Sequence, residues 1–433
     1  MNEQLVLQKY PEDWNVATID DLAVRVGSGV TPTGGSEVYK DRGIVFLRSQ
    51  NITNAGLKLD DVAYIDVETH KKMEASRVED FDVLINITGA SIGRVTYVPK
   101  YFPEANVNQH VCEIRLHNST EYKAKFLSYV LISDIGQRQI HCLNAGGNRE
   151  GLNFQQLRSF VVPSPPESQI EKITNILSTV DKLIEKTQAI IDKHTAIKQG
   201  MMADFFTRGI DLTTGQLRPP VEQAPHLYKE TELGWIPRDW DAKPLSDYFS
   251  YISYGFTNPM PEVDDGPYMI TAANIFDGNI QYGTARHTEK QAYDTLLTKK
   301  SRPEIGDLLL TKDGSLGRMA LVDKNNICIN QSVAVFRPNS LCDISLVKYL
   351  LETEVYQQKM LDDAGGSTIK HIYITVIDKM LIGLPVKKEE QDRLIYMMEN
   401  IHEEINILYV EKNKLVLKKQ GLMQDILTGK VSV

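Results

Sequence analysis

Two short turns of nearly the same sequence carry the residues best placed for chemistry: Gly89-Ala-Ser91-Ile-Gly93-Arg94 and Gly314-Ser315-Leu-Gly317-Arg318. Glycine lets a backbone approach closely and exposes N–H groups that can hold a phosphate, and the arginine adds charge. The same glycines would equally serve a structural hairpin. Polar side chains suited to reading base edges accompany the turns. In the first half these are Arg48, Gln50, Asn108, Gln109, His110, Asn148 and Arg149; in the second they are Asn274, Lys312, Asp313, Gln331, Ser332, Lys370 and His371. Major-groove geometry favours Arg for guanine and Asn or Gln for adenine. With Ser91, Arg94, Ser315 and Arg318, these are the candidate DNA contacts. Asn51 and Asn274 recur in both halves, as do Asn108-Gln109 and Asn330-Gln331. Shared features are expected to hold the fold or the phosphates, and differing ones to read sequence. That distinction favours Arg48, Arg149, Lys312 and His371 as readers, and gives Asn51 and Asn274 a structural role.

Catalytic patterns are missing. The Gly314–Arg318 turn lacks the spacing and the lysine of a P-loop, and no G-x-G-x-x-G opens a helix after a strand. Asn258-Pro259-Met260-Pro261 departs from the Asn-Pro-Pro-aromatic pattern of amino-methyltransferases, because its second proline is displaced and no aromatic follows. Glu121-Tyr-Lys123 has the form of a nuclease metal site but no counterpart in the second half, and reads as a solvated helix start. Cys112, Cys142, Cys328 and Cys342 lie far apart without C-x-x-C spacing, so reduced structural cysteines are expected rather than zinc or disulfides.

These residues sit in a tandem duplication. Trp14 and Trp240 open equivalent segments, each leading to a Gly-x-Thr (Gly29, Gly255) at the same offset of 226 residues. The strand before each turn, the Asn-Gln pair, an Ala-Gly-Gly segment (Ala145, Ala364) and a proline followed six positions later by glutamine (Pro163 and Gln169, Pro385 and Gln391) recur in order. Short β-branched and aromatic runs broken by Gly, Asn, Asp and Pro predict strands and turns, with helices near Tyr122–Gln139 and Asp343–Leu361. The fold class is α+β. Each half ends in a long amphipathic helix. Ile173, Leu177, Val180, Ile184, Thr187, Ile191, His194, Lys198, Met201 and Phe205 follow heptad spacing, and residues 221 later repeat it: Leu394, Met398, Ile401, Ile405, Leu408, Lys412, Leu415, Lys419, Leu422 and Ile426. Such spacing predicts a coiled coil, with His194 and Lys198 setting register. About 40 residues at 1.5 Å each make a rod of roughly 60 Å. The expected domains are 1–164, a helix 165–210, a proline-rich linker 211–236, a second domain 237–386 and a helix 387–430.

Bulk properties bound the partners. A net charge of -9 opposes a free-standing non-specific DNA binder, since phosphate contacts demand Lys and Arg. Between Asn86 and Arg149, seven basic residues (Arg94, Lys100, Arg115, Lys123, Lys125, Arg138, Arg149) face four acidic ones, so a partner is expected to help hold DNA. No secretory signal or spanning segment is evident, and a cytoplasmic protein is expected.

In this order the elements resemble the specificity subunit of type I restriction-modification enzymes over essentially the whole chain. The resemblance rests on Pro11-Glu-Asp-Trp14 and Pro237-Arg-Asp-Trp240, the two Gly-Ser-x-Gly-Arg turns, the Ala-Gly-Gly segments, the proline-to-Glu-Gln helix starts and the Lys-Gln-Gly-x-Met helix ends at Lys198 and Lys419. Ser168 replaces the glutamate at the first helix start, the second lacks the double proline, and Arg238 stands where glutamate is common. The resemblance implies two target-recognition domains, each reading half of a split double-stranded DNA site, and an antiparallel helix pair that sets the unread spacer. It implies two modification subunits docked on the helices, around Leu177, Val180, Ile184, Ile191, Met398, Ile401, Ile405 and Leu408, and two restriction subunits. S-adenosylmethionine, ATP and Mg are expected in those partners and no cofactor, metal or membrane in this chain. A self-contained nuclease or methyltransferase, and a coiled-coil scaffold, are the alternatives.

Overall fold

A computed structural model describes residues 10–32, 38–144, 151–341, 343–365 and 370–433. The chain divides into two compact units, Met1–Ala189 with Val410–Val433, and Ile190–Tyr409. Each unit is built on the same sheets. In the first, a four-stranded antiparallel sheet runs in the order Ala23–Ser28, Val111–Leu116, Val83–Asn86, Val95–Tyr97. A three-stranded sheet joins Ala63–Ile65, Ile44–Leu47 and Ala105–Val107, the last two parallel. In the second unit the corresponding orders are Phe249–Tyr254, Val333–Pro338, Leu308–Thr311, Met319–Leu321 and Arg286–Thr288, Glu262–Ile270, Ile327–Ile329.

The strand before each turn is apolar at three consecutive positions, Val83–Ile85 and Leu308–Leu310, because both its faces are covered. Val83 and Ile85 enter a core shared with the helices, whereas Leu84 packs with Leu47, Val98 and Val107. Leu308 and Leu310 likewise face the helices, and Leu309 faces Ile275 and Val335. Alternation between two cores yields a continuous hydrophobic run. A charged clamp fixes the end of this strand. Arg115 forks onto Asp82 with two 2.8 Å bonds and reaches Glu79 at 2.5 Å; Arg337 repeats this on Asp307 at 3.0 and 2.8 Å and on Glu304 at 3.0 Å. Gly29 and Gly255 answer a second constraint, since a Cβ there would lie 1.5 Å from the Val107 carbonyl oxygen or 1.8 Å from that of Ile329.

The helices expected near Tyr122–Gln139 and Asp343–Leu361 are each two: Glu121–Ile132 and Asp134–Asn144, Ile344–Leu351 and Glu354–Asp362. The breaks fall at Ser133 and Thr353, whose hydroxyls bond back to the carbonyls of Val130 and Leu350 at 2.7 Å and so compete with helix propagation.

The long helices span Glu167–Arg208 and Lys388–Ile426. In the first unit the start of one meets the end of the other, with Lys419 Nζ 2.5 Å from Asp181 and Lys412 bonded to Gln188. In the second unit His194 and Glu404 approach to 3.6 Å. The pair is therefore antiparallel. Leu177, Ile191, Met398 and Ile405 are buried in it, and Val180, Ile184, Ile401 and Leu408 are half-buried. Leu177, Ile191, Met398 and Ile405, expected to meet a partner, are thus taken up by the helix pair itself, whereas the other four keep exposed surface. The segment expected as a linker carries a hairpin, Tyr228–Thr231 with Gly234–Pro237, anchored by the buried Tyr228 and Ile236.

The opening tryptophans clamp the helix starts. Trp14 Nε1 donates to Gln169 Oε1 at 2.6 Å, and Trp240 Nε1 to Glu390 Oε1 at 3.1 Å. Gln169 thus corresponds to Glu390, 221 positions on, and not to Gln391, which instead donates to the Pro385 carbonyl at 2.8 Å. Glu390 also accepts from Arg218 at 2.5 and 3.0 Å and from the Ile210 N–H at 2.9 Å. Glu390→Ala leaves the buried Arg218 with Asp239 alone and is expected to cost about 3–5 kcal/mol in urea denaturation. Glu390→Gln keeps the tryptophan bond and should cost less; equal losses would show that the charge alone matters and the tryptophan bond contributes nothing.

Candidate nucleic-acid interface

Both units present the same backbone platform at the end of the clamped strand. Ile87 N donates to the His110 carbonyl at 3.0 Å, and Leu152 N to the Ile87 carbonyl at 2.8 Å. Lys312 N donates to the Ser332 carbonyl and Ile372 N to the Lys312 carbonyl, both at 2.9 Å. The strand end, the glycine turn, the residue after Asn-Gln and the stretch beyond Ala-Gly-Gly therefore converge twice. Bridges between Thr88 and Gly151, and between Asp313 and His371, close the arrangement.

The glycine turns are hairpins by hydrogen-bond accounting. Gly89, Gly93, Gly314 and Gly317 all have φ between +75 and +81, a region that side chains disfavour. Gly93 N donates to the Asn86 carbonyl, Gly317 N to the Thr311 carbonyl and Arg318 N to the Thr311 hydroxyl, each at 2.9 Å. These N–H groups are committed within the turn and serve its structure. The arginines remain. Arg94 is exposed and has no ion pair among the described residues; Arg318 is exposed over Phe276, 5.2 Å from the ring centroid.

A glutamine pins each turn to the helix behind it. Gln137 Nε2 donates to the carbonyls of Gly93 at 2.9 Å and Leu131 at 2.8 Å; Gln357 Nε2 donates to those of Gly317 at 3.1 Å and Leu351 at 2.8 Å. The sequence reading missed both, although each stands four residues beyond the helix-breaking Ser133 or Thr353, a spacing that could have found them.

On this shared platform the side chains differ. The first unit has Thr88 bonded to His110 Nδ1 at 2.6 Å, with Gln109 exposed beside it. Ser91 accepts from Asn86 at 3.1 Å, and Asn86 also donates to the Ser49 carbonyl at 2.8 Å, which brings the Arg48–Asn51 turn alongside. Arg48 and Gln50 both reach the exposed Asp61: Arg48 donates to its carbonyl at 3.2 Å and Gln50 to its carboxylate at 2.7 Å. The second unit has Lys312, Asp313 and His371 in one network. Lys312 Nζ lies 2.8 Å from Asp313, whose other oxygen meets His371 Nδ1 at 2.7 Å. Burial alone would raise the Asp313 carboxyl, yet the bonds from Lys312 and His371 hold it below the ordinary carboxylate value. Gln331 and Lys370 are exposed next to this network, and Ser315 is half-buried in the turn. Tyr254, half exposed under Lys312 at 5.7 Å, and Phe276 were not anticipated; exposed aromatics beside cations suit stacking on a ligand.

Two candidates lose their reading role. Asn108 is buried, its side-chain oxygen accepting the His110 N–H at 3.0 Å. Ser332 is spent on Asn330 at 2.6 Å and on the Ala272 N–H at 3.0 Å. Asn51 and Asn274 are buried turn-formers, accepting from Arg48 N and Thr271 N at 2.9 Å. Asn148 and Arg149 lie outside the described residues, as do Gly146, Gly147, Gly366 and Cys342. The local basic excess shrinks as well: Arg115, Lys123, Lys125 and Arg138 are paired with Asp82, Glu167, Glu121 and Asp134.

The profile of the family described as type I restriction modification DNA specificity domain matches residues 11–193 and 239–417. A putative type I restriction enzyme MjaX specificity subunit of Methanocaldococcus jannaschii is 25% identical over 98% of this chain and 95% of its own length. The EcoBI specificity subunit of Escherichia coli is 22% identical over 75% and 68%. In fold, the chain is similar to a chain from a structure of type I R-M complex assembly (TM-score 0.51, 15% identity, 98% and 100% covered) and to the S subunit of M. genitalium (TM-score 0.50, 15%, 96% and 97%).

Arg318→Ala and Gln357→Ala separate contact from positioning. For DNA binding by the assembled complex, Arg318→Ala should lower the salt slope by about one counterion. Gln357→Ala should weaken binding several-fold at unchanged slope. An unaltered slope for Arg318→Ala would remove it from the phosphate contacts.

Proposed function

We propose that this chain, which belongs to the type I restriction modification DNA specificity family, reads a split DNA site by presenting one half-site reader in each unit. It is the recognition subunit of a multi-subunit enzyme rather than the catalyst. The observation that carries the reading is the twice-built platform: one backbone arrangement, with Ile87, Thr88 and His110 in the first unit exchanged for Lys312, Asp313 and Ser332 in the second, and Gly151 for His371. Two different sets on one framework suit two different base sequences. Arg94 and Arg318 would contact phosphates and set the register, while Arg48, Gln50, Gln109, His110, Lys312, Asp313, Lys370 and His371 would face base edges.

Two modification subunits would dock on the long helices and transfer a methyl group from S-adenosylmethionine to adenine N6. Two restriction subunits would add ATP- and Mg-dependent translocation and cleavage. The buried seam residues are unavailable for docking, but Ile176 and Leu183, seven apart in the first unit, form a short exposed apolar row on the first helix. Such a row fits a partner helix. Clamping of DNA by the partners would offset the chain's net charge of -9. No helix among the described residues is long and apolar enough to cross a membrane.

The helix pair would set the spacer between half-sites. Inserting one heptad at matching places in both helices should lengthen the spacer of the methylated motif while leaving its bases unchanged, read by mapping methyladenine in cells expressing the complex. An unchanged spacer in a complex that still methylates would contradict the ruler role.

A further inference from the structure

We propose that the second unit contains a binding site for a small oxyanion, a carboxylate or a phosphate, between Lys198 and His402. The site rests on the comparison of the two units, and it shares Arg318 with the proposed phosphate contacts.

In the first unit the equivalent space is filled by Asp181. The Tyr129 hydroxyl donates to one carboxylate oxygen at 2.6 Å, and Lys419 Nζ lies 2.5 Å from the other. The same ammonium sits 5.3 Å from the Tyr129 ring centroid. One carboxylate thus neutralises a lysine and satisfies a buried phenol. In the second unit the 221-residue helix register places Lys198 for Lys419 and His402 for Asp181. Tyr349 stands four residues before Thr353 as Tyr129 stands before Ser133, and Lys198 Nζ again lies over its ring, at 5.7 Å. Only the carboxylate has gone. Histidine is neutral or positive, never negative, so it cannot take the role of the aspartate. Lys198 makes no hydrogen bond or ion pair among the described residues.

A cavity of about 340 Å³ opens beside Lys198 and His402, lined also by Lys348, Arg318, Glu352 and Asp277, with the Tyr349 ring under Lys198 but outside the lining. Lys348 is paired with Glu352 at 2.7 Å. Three cations therefore face two acids across the cavity, while Glu399, outside the lining, acts on the Tyr349 hydroxyl. Burial holds the Lys198 ammonium below its ordinary pKa, and burial together with Lys198 and Lys348 does the same for His402. An oxyanion in the cavity would accept from the Lys198 ammonium and the His402 ring N–H, adding to Glu352 and Asp277 a charge that bonds Lys198 directly.

The test uses the full chain in chloride buffer at fixed ionic strength, with acetate or inorganic phosphate replacing chloride. Binding is read by saturation-transfer NMR for acetate, and for both anions by thermal unfolding. Acetate should show saturation transfer, and at least one of the two anions should raise the midpoint by about 2–4 °C near saturation. His402→Asp restores the first unit's carboxylate; it should melt higher than the parent without added anion and lose the response. Lys198→Met should lose the response without melting higher. Displacement of acetate by a DNA duplex assigns the oxyanion to a backbone phosphate, and retention assigns it to a free anion. Responses to both anions no greater than to chloride, or responses retained in both variants, would overturn the site.

Discussion

The fold turns on one buried carboxylate. Glu390 gathers the end of the first long helix through Ile210 N, the segment after it through Arg218, the opening strand of the second β-rich domain through Trp240, and the start of its own helix. Burying such a charge is unfavourable unless every lone pair is engaged, and here four hydrogen bonds converge on it. The carboxylate therefore fixes where sheet and helix meet. In the first unit the same junction is made with a neutral Gln169, which accepts from Trp14 and donates to Asp13 at 2.7 Å. Among the described residues, no arginine bonds Gln169 there.

From that junction the geometry of the interface follows. The helices hold a core that covers one face of the central sheet; the Asp-Arg clamps at Asp82 and Asp307 fix the strand leading outward; the turn at its end is tied back by Gln137 or Gln357. Residues that build this framework recur in both units. Of the residues exposed on it, Arg94 and Gln109 recur as Arg318 and Gln331, and the others do not. An invariant support with exchangeable contacts lets recognition vary without cost to the fold, since surface substitutions away from buried partners change stability little.

Much of this was legible in the sequence, because duplication prints each structural requirement twice. The doubled Trp, Gly-x-Thr, glycine turn and heptads gave the repeat, the strands and the coiled-coil helices, whose antiparallel sense came from the family resemblance. The rule that shared polar residues are structural placed Asn51 and Asn274 correctly and, had it been pressed, would have removed Asn108 from the readers. What escaped were interactions distant in sequence. Arg115 looked like free positive charge until Asp82 took it; Gln169 was matched to Gln391 because spacing from proline was counted instead of helical register. The loss of the Asp181 carboxylate at His402 was hidden for the same reason, since neither residue is unusual until Tyr129 and Lys419 are seen around the first.

The central claim is that side chains on a common platform specify the bases of one half-site. It is tested most directly by replacing Lys312, Asp313 and His371 with the first unit's Ile, Thr and Gly, and mapping methylated adenines in cells that express the chain with its modification subunits. The account predicts that one half of the motif changes or loses specificity, while the other half and the spacer stay as they were. An unaltered motif, or simultaneous change in both halves, would contradict it.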